Sequence, residues 1–430
     1  MEVSGLRVQI AGGGASVTNN GTMARDQTVT VTPQPATVGI PSTQPIAVAG
    51  TAAPAAPSFI CDDPLGCVVV GPGEPIRLRY LLSMSSDLGL DSMRGAEIAL
   101  GDGGPIHGRE VEFLGEDDGC NPDLAREAAV KIAADKSVVA MIGTNCSASA
   151  YAVASFLSEA GITMVSPSNT RPDLTDPAVH APGYLRVVAS DIFQARGAAT
   201  FVFDQLGFRR TAILYHPGNP YSEGVALMFR EEFEALGGQV VMSVTAESGQ
   251  TDMEAALTEV GFESPDLVYL TLFPAEGAAL VLQARQFAGL DGTVLMGSDS
   301  LWAQEFLDVV GDAAEGMYLS SATFDAKQSP AYQSFLAKYL AAYHESPLTS
   351  FHAHGYDAMR MVLDAIERIG IQDSGGTLHI PRSTLREALY ATRDFEGLTG
   401  VLNCDTNGDC GVPQYGIFQI QAGEFVKLIP

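Results

Sequence analysis

From Ile76 onward, short unbroken apolar runs alternate with stretches whose apolar residues recur every three or four positions. The runs Ile76–Leu82, Val111–Leu114, Val138–Ile142 and Ile162–Val165 predict strands. The stretches between them, Leu88–Leu100, Pro122–Ala134 and Ala148–Ala160, predict helices, the second with Leu124, Ala128 and Ile132 spaced by four. A second block repeats the alternation through Arg196–Leu206 (helix), Thr211–Tyr215 (strand), Glu223–Leu236 (helix) and Val240–Val244 (strand). It continues through Met253–Val260, Leu267–Leu270, Ala275–Phe287 and Thr293–Met296. After Pro330, the residues Tyr332, Phe335, Leu336, Tyr339, Leu340 and Tyr343 form one helical stripe, and longer helices follow at Phe351–Ile369 and Arg382–Thr392. The end, Val401–Ile429, is strand-rich, with Gly423 in a hairpin turn. Continuous apolar strands between helices mean a parallel sheet covered by helices, and two successive blocks mean two α/β lobes.

Residues 1–60 are different. From Thr28 to Pro57 they read almost entirely as Thr, Pro, Ala, Val, Gly and Ser, a composition that cannot bury enough surface to offset ordering entropy, so this part is expected to be a disordered leader or tether. It shows no basic segment followed by an apolar one, hence no recognisable signal peptide, and Ser58-Phe59-Ile60 before Cys61 lacks the small residues of a lipidation site. Val8–Gly14 holds half of a dinucleotide fingerprint without its third glycine or its helix, and reads as a Gly-rich end.

The 430 residues carry a net charge of -27, and the four charges of residues 1–60 (Glu2, Arg7, Arg25, Asp26) cancel, so the whole excess belongs to the rest. Such a surface disfavours phosphate backbones and anionic membranes, so no nucleic-acid partner is expected. No apolar run reaches the length of a transmembrane helix. Six cysteines, with Cys61 and Cys67 as well as Cys404 and Cys410 six apart, show no C-x-x-C metal or redox spacing. An even count in an acidic, Lys-poor chain favours disulfides and an oxidising, extracytoplasmic compartment.

Catalytic motifs fail. There is no Gly-Lys pair, no G-x-S-x-G and no H-E-x-x-H, so an enzyme is not expected. His352 and His354 are two apart on a predicted helix and face different ways, which makes them poor joint metal ligands. Asp405–Asp409 resembles the start of a calcium loop, but its glycine is misplaced and its twelfth position is Gly416; a tight turn clipped by Cys404 and Cys410 fits better. Neither metal nor cofactor is expected.

What remains is a set of polar residues at strand ends, where open α/β sheets bind ligands. Val138–Ile142 leads into Gly143-Thr144-Asn145-Cys146-Ser147 at a helix start, where Ser147 could be a plain N-cap or offer its hydroxyl and the helix N–H groups to a carboxylate. Ile162–Val165 leads into Ser166-Pro167-Ser168-Asn169-Thr170, and Thr293–Met296 into Gly297-Ser298-Asp299, an acid suited to an ammonium group. Together these would describe a clamp for a zwitterion.

At these residues the chain resembles the periplasmic leucine/isoleucine/valine-binding proteins, the type I solute-binding components of ABC importers. The likeness runs from about Pro75 to the end and rests on an ordered set of stretches: Glu116–Pro122, Ile142–Ser147, Ser166–Thr175, Tyr221–Gly224, Pro265–Tyr269, Gln283–Arg285 and Ala314–Gly316. The resemblance implies a Cys120–Cys146 disulfide, and leaves the pairing of Cys61, Cys67, Cys404 and Cys410 outside the family pattern. It places Ser147, Ser168 and Thr170 at the ligand carboxylate, Tyr221 and Phe273 on the second lobe's wall, Asp299 at the ammonium group and Tyr356 near a further aromatic position. Three departures, Leu88, Asn145 and Phe273, bear on ligand preference.

The implied fold is α/β: two doubly wound, Rossmann-like lobes joined by a three-segment hinge, the type I Venus-flytrap arrangement. Lobe 1 is expected to comprise 61–190 plus 323–402 and lobe 2 191–322 plus 403–430, with crossings near Ser190, Ala322 and Leu402. The implied function is capture of an amino acid or similar small carboxylate by a monomer that delivers it to an ABC-importer permease. An extracellular amide- or amino-acid-sensing regulator domain on the same fold is the alternative.

Overall fold

A computed structural model describes residues 59–322 and 329–429. The expected leader or tether and the Val8–Gly14 segment lie outside the described residues, all but its last two positions, Phe59 and Ile60. The described residues fall within one compact unit.

The chain enters with β1 (Cys67–Val70) and then builds a five-stranded parallel sheet. Its strands are β2 (Ile76–Leu82), β3 (Val111–Asp117), β4 (Val138–Gly143), β5 (Thr163–Ser166) and β6 (Tyr184–Arg186), in the order β3-β2-β4-β5-β6. Helices α1 (Asp87–Gly103), α2 (Pro122–Ala134) and α3 (Ser147–Glu159) connect them. Every residue of β4 is buried, as a central strand covered on both faces must be. Gly143 closes it where a Cβ would overlap the Leu81 carbonyl, so only glycine lets β2 and β4 approach this closely. Helix α2 starts at Pro122 behind Asn121, whose Oδ1 accepts the N–H groups of Asp123 (2.8 Å) and Leu124 (3.3 Å). Its buried face is Ala125, Ala128, Ala129, Ile132 and Ala133, while Leu124, expected on that stripe, is exposed. That face shares one core cluster with Ala150, Val153, Ala154 and Leu157 of α3.

The second sheet follows through α4 (Asp191–Thr200), β7 (Arg210–Tyr215), α5 (Pro220–Ala235), β8 (Gln239–Thr245), α6 (Glu254–Glu263), β9 (Leu267–Thr271), α7 (Pro274–Ala284), β10 (Val294–Gly297), α8 (Gln304–Val310) and β11 (Tyr318–Ala322). The chain then returns to the first lobe with α9 (Pro330–Tyr343), α10 (His352–Ile369), the short β12 (Ile371–Gln372) and β13 (Leu378–Pro381), which form a small sheet with β1, then α11 (Arg382–Tyr390) and the paired β14 (Phe395–Glu396) and β15 (Val401–Leu402). It ends in a hairpin, β16 (Tyr415–Gln421) and β17 (Glu424–Ile429), that pairs antiparallel to β11. The second sheet is therefore mixed, in the order β17-β16-β11-β10-β9-β7-β8.

Two expectations are corrected. The helix expected from Arg196 starts at Asp191, capped by Ser190. Residues 403–411, expected in the second lobe, lie against the first: Cys404 and Cys410 sit in its core, and Cys410 N–H donates to Arg186 O at 3.0 Å. The last passage between sheets thus follows the disulfide, at 411–414, instead of falling near Leu402. Residues 323–328, next to the crossing expected near Ala322, lie outside the described residues.

Both sheets share one parallel order, with the first strand between the second and third (β3-β2-β4 and β8-β7-β9). Each lobe therefore has a switch point, where successive connections leave on opposite faces and open a crevice at the carboxyl ends of the strands.

Candidate functional site

The loops leaving those strand ends line one cleft of about 830 Å³, within the size range of small-molecule sites. The first sheet contributes Ser83, Asn145, Ser147 and Ser168; the second contributes His216, Tyr221, Phe273 and Asp299.

Ser147 is not the cap of α3. That position belongs to Cys146, which is held by its disulfide to Cys120 and makes no side-chain cap bond. The first-turn N–H groups and the Ser147 hydroxyl are thus presented at the cleft, an arrangement suited to an anion.

Asn145 and Ser168 also line the cleft, but their bonds turn inward. The Asn145 amide accepts Ser83 N–H (3.0 Å) and donates to Ser92 Oγ (3.1 Å) and Ser168 Oγ (2.9 Å). The Ser168 hydroxyl in turn donates to Asn145 O at 3.1 Å. This pair braces the two loops against each other. Thr170 is buried outside the lining, its carbonyl accepting Asp191 N–H at 2.9 Å.

Across the cleft, Asp299 is 5% exposed. Its Oδ1 accepts the Tyr221 hydroxyl and Gln194 Nε2, the latter at 2.8 Å. The Tyr221 hydroxyl also lies 2.9 Å from Ser298 Oγ, and its ring is 6.1 Å from that of Phe273, the residue that opens α7. Burial pushes the Asp299 carboxyl above its ordinary range, against the pull of the Tyr221 and Gln194 bonds. Behind it, Asp191 is pushed up to about 7 by burial first and by the Asp299 charge second. Tyr221 is raised by the same two causes. Among the described residues no Lys or Arg pairs with Asp299.

Tyr356, expected at the ligand, is a correction. It does not line the cleft, donates to Asp102 Oδ2 at 3.1 Å and packs against Phe335. Phe351 and Thr349, in the turn before α10, line the cleft instead. Buried Asp91 holds that turn by accepting Thr349 N–H (2.9 Å), Thr349 Oγ1 (2.8 Å) and Leu348 N–H (3.1 Å). His352 joins this network through Thr349 O and Tyr332.

Sequence reasoning also missed Trp302, three residues beyond Asp299, and the pair Asp191 and Gln194. For the latter a signal existed: Ser190-Asp191 is a helix-start signature, and i, i+3 spacing puts both side chains on one face.

The lobes touch at the cleft mouth. Asp87 Oδ2 accepts Glu305 N–H at 2.7 Å, Leu348 O accepts Gln304 N–H at 3.0 Å, and Arg171 covers α5 at Gly224. The cysteines pair as Cys61–Cys67, Cys120–Cys146 and Cys404–Cys410. In the expected turn, Asp405 Oδ1 accepts Asn407 N–H (2.8 Å) and Asp409 N–H (2.9 Å). No group of three metal-ligating side chains exists among the described residues.

Residues 78–424 match the family model described as periplasmic binding protein. The chain belongs to that family. It is 28% identical over 340 residues to Leu/Ile/Val-binding protein homolog 3 of Brucella melitensis, covering 78% of this chain and 88% of that one. It is 28% identical over 309 residues to the leucine-, isoleucine-, valine-, threonine- and alanine-binding protein of Pseudomonas aeruginosa, covering 71% and 78%. Among solved structures, a leucine-binding protein from Thermotoga maritima superposes with a TM-score of 0.74 at 29% identity, over 82% of this chain and 97% of the other. An isoleucine complex from Streptococcus pneumoniae gives 0.73 at 24%, over 83% and 100%, a likeness of fold. Members of this family are substrate-binding proteins.

Proposed function

We propose that this protein captures an α-amino acid between its lobes, outside the cytoplasm, and delivers it to the membrane permease of an ABC importer. One observation carries the reading: a buried carboxylate with hydrogen bonds but no cation among the described residues, Asp299, shares a cleft with an uncapped helix start bearing Ser147. A ligand ammonium supplies the missing charge at one end, and its carboxylate meets the N–H groups of α3 at the other. The ends lie on different lobes, so a ligand that satisfies both favours the closed arrangement. Closure needs no chemistry, and the protein acts as a carrier and not as an enzyme. Three disulfides suit an oxidising compartment, and no described helix is long and apolar enough to cross a membrane. The protein works as a monomer, and its acidic surface keeps it off nucleic acid. The named ligands of the relatives favour leucine, isoleucine and valine, with Leu88 and Phe273 adding apolar wall.

Titration calorimetry against the L-amino acids tests this. A branched-chain amino acid should bind with roughly micromolar affinity, about 8 kcal/mol, and Asp299→Ala should weaken it tenfold or more. Unchanged affinity in that variant refutes the ammonium site.

A further inference from the structure

The loop closed by Cys404 and Cys410 is an added piece, and its position is specific. It lies along β6, the edge strand of the first sheet: Arg186 N–H donates to Gly408 O (2.9 Å), Cys410 N–H to Arg186 O (3.0 Å), and Arg186 bridges Asp409 in parallel register. Gly408 is required there, because a Cβ would run into the Tyr184 carbonyl.

The Arg186 side chain emerges between this loop and the loop after β5. It is 1% exposed, and a charge so deeply buried must be paired. Asp409 pairs with it through Nη2, which also donates to Thr175 Oγ1 at 3.0 Å. Nη1 donates to Arg171 O (2.6 Å) and lies 3.5 Å from Asn169 O. Those carbonyls flank Thr170, and turning the Asn169 carbonyl toward the guanidinium turns the Thr170 N–H the opposite way. The Asn169 side chain then ties the segment to Thr144, accepting its hydroxyl at 3.2 Å, next to Asn145, which braces Ser168. A continuous set of contacts therefore runs from the disulfide loop to the carboxylate end of the cleft.

We propose that Arg186 and Asp409 are positioning residues for ligand carboxylate recognition, with the Cys404–Cys410 bridge holding Asp409 in place. This rests on the function proposed above. Asp409 does not line the cleft, and its side-chain partners Arg186 and Thr175 do not line it either, so its removal acts through the shape of the 168–171 loop.

The test compares L-leucine with L-leucinamide at pH 6.5, below the α-amino range of about 7.7–8.0, so that the two differ at the carboxylate. Asp409→Ala and the Cys404→Ser/Cys410→Ser double variant should each weaken leucine about tenfold and leucinamide less than about threefold, and Asp409→Glu should recover most of the loss. Hydrogen exchange of the ligand-free protein supplies an arm that needs no ligand: Asp409→Ala should speed exchange about tenfold or more across residues 166–175 and leave β7–β10 unchanged. Equal weakening of both ligands overturns the proposal, as does unchanged exchange in 166–175. If the wild type binds neither ligand, the proposed function falls, and the exchange arm with its Asp409→Glu rescue alone decides whether Asp409 positions this loop.

Discussion

Asp191→Asn should alter the pH dependence of stability more than stability itself. Asp191 is fully buried in the first turn of α4, beside Asp299, and its carboxyl is raised from 3.8 to about 7. Thr170, Arg186 and Arg171 pull the other way and lose to burial and the Asp299 charge. Between pH 4 and 7 the folded protein thus holds a proton that the unfolded chain has released. By linkage, stability falls as pH rises through that window, by up to about 1.4 kcal/mol per unit, and the loss is complete above pH 7. From pH 5 to pH 8 the loss amounts to about 3 kcal/mol. The amide cannot titrate, so the stability of the variant minus that of the wild type should rise by about that amount over the same range. At pH 5 the variant starts level or slightly lower, because an amide leaves a buried group imperfectly paired. Urea unfolding of the ligand-free protein, followed by the fluorescence of its one tryptophan, Trp302, reports on the same lobe. A difference that stays flat from pH 5 to pH 8 refutes the assignment of Asp191 as a protonated member of this pair.

Tyr356→Phe should leave ligand affinity within about twofold, while Phe351→Ala should weaken it, and calorimetry on the two variants distinguishes the wall of the cleft from its surroundings. Replacing Cys120 and Cys146 by serine should lower stability by about 3.5 kcal/mol in the chain-entropy picture, read as a shift in the urea midpoint, and should also weaken binding by loosening the start of α3. Gly224→Leu should push Arg171 off α5 and hold the lobes apart, giving a tenfold or greater loss of affinity with no ligand-induced compaction in small-angle scattering.

The parallel architecture was legible because buried strands such as Val138–Gly143 are apolar throughout, and because Pro122 and Pro330 mark helix starts plainly. Burial on a particular helix face was harder to read. In α2 the i, i+4 pattern fits two stripes, and the buried one carries Ala125, Ala128, Ala129, Ile132 and Ala133 and leaves Leu124 outside. Ser147 and Asp299 could be found as polar residues at strand ends. Their supports could not: Asp191 and Gln194 serve Asp299 from an element remote in sequence, and Phe351 reaches the cleft only because Asp91 folds the turn before it. Asn145 and Ser168 look like ligand contacts in the sequence, yet spend their hydrogen bonds on each other and, for Asn145, on Ser83 and Ser92. Spacing shows which groups are near a loop, not which way each amide points.

The path of the chain also constrains the timing of folding. The first lobe's core draws on residues from Val68 to Cys410, and the second lobe's on residues up to Ile420. A ribosome releasing this chain from its N-terminus cannot give the first lobe all its parts before Cys410 is made, nor the second before Ile420. Both sheets depend on contacts between distant segments, which form slowly. The nascent polypeptide should therefore stay largely unstructured until late in synthesis, and loss of the last twenty residues should leave the second sheet with an open edge at Tyr318–Ala322, a template for aggregation.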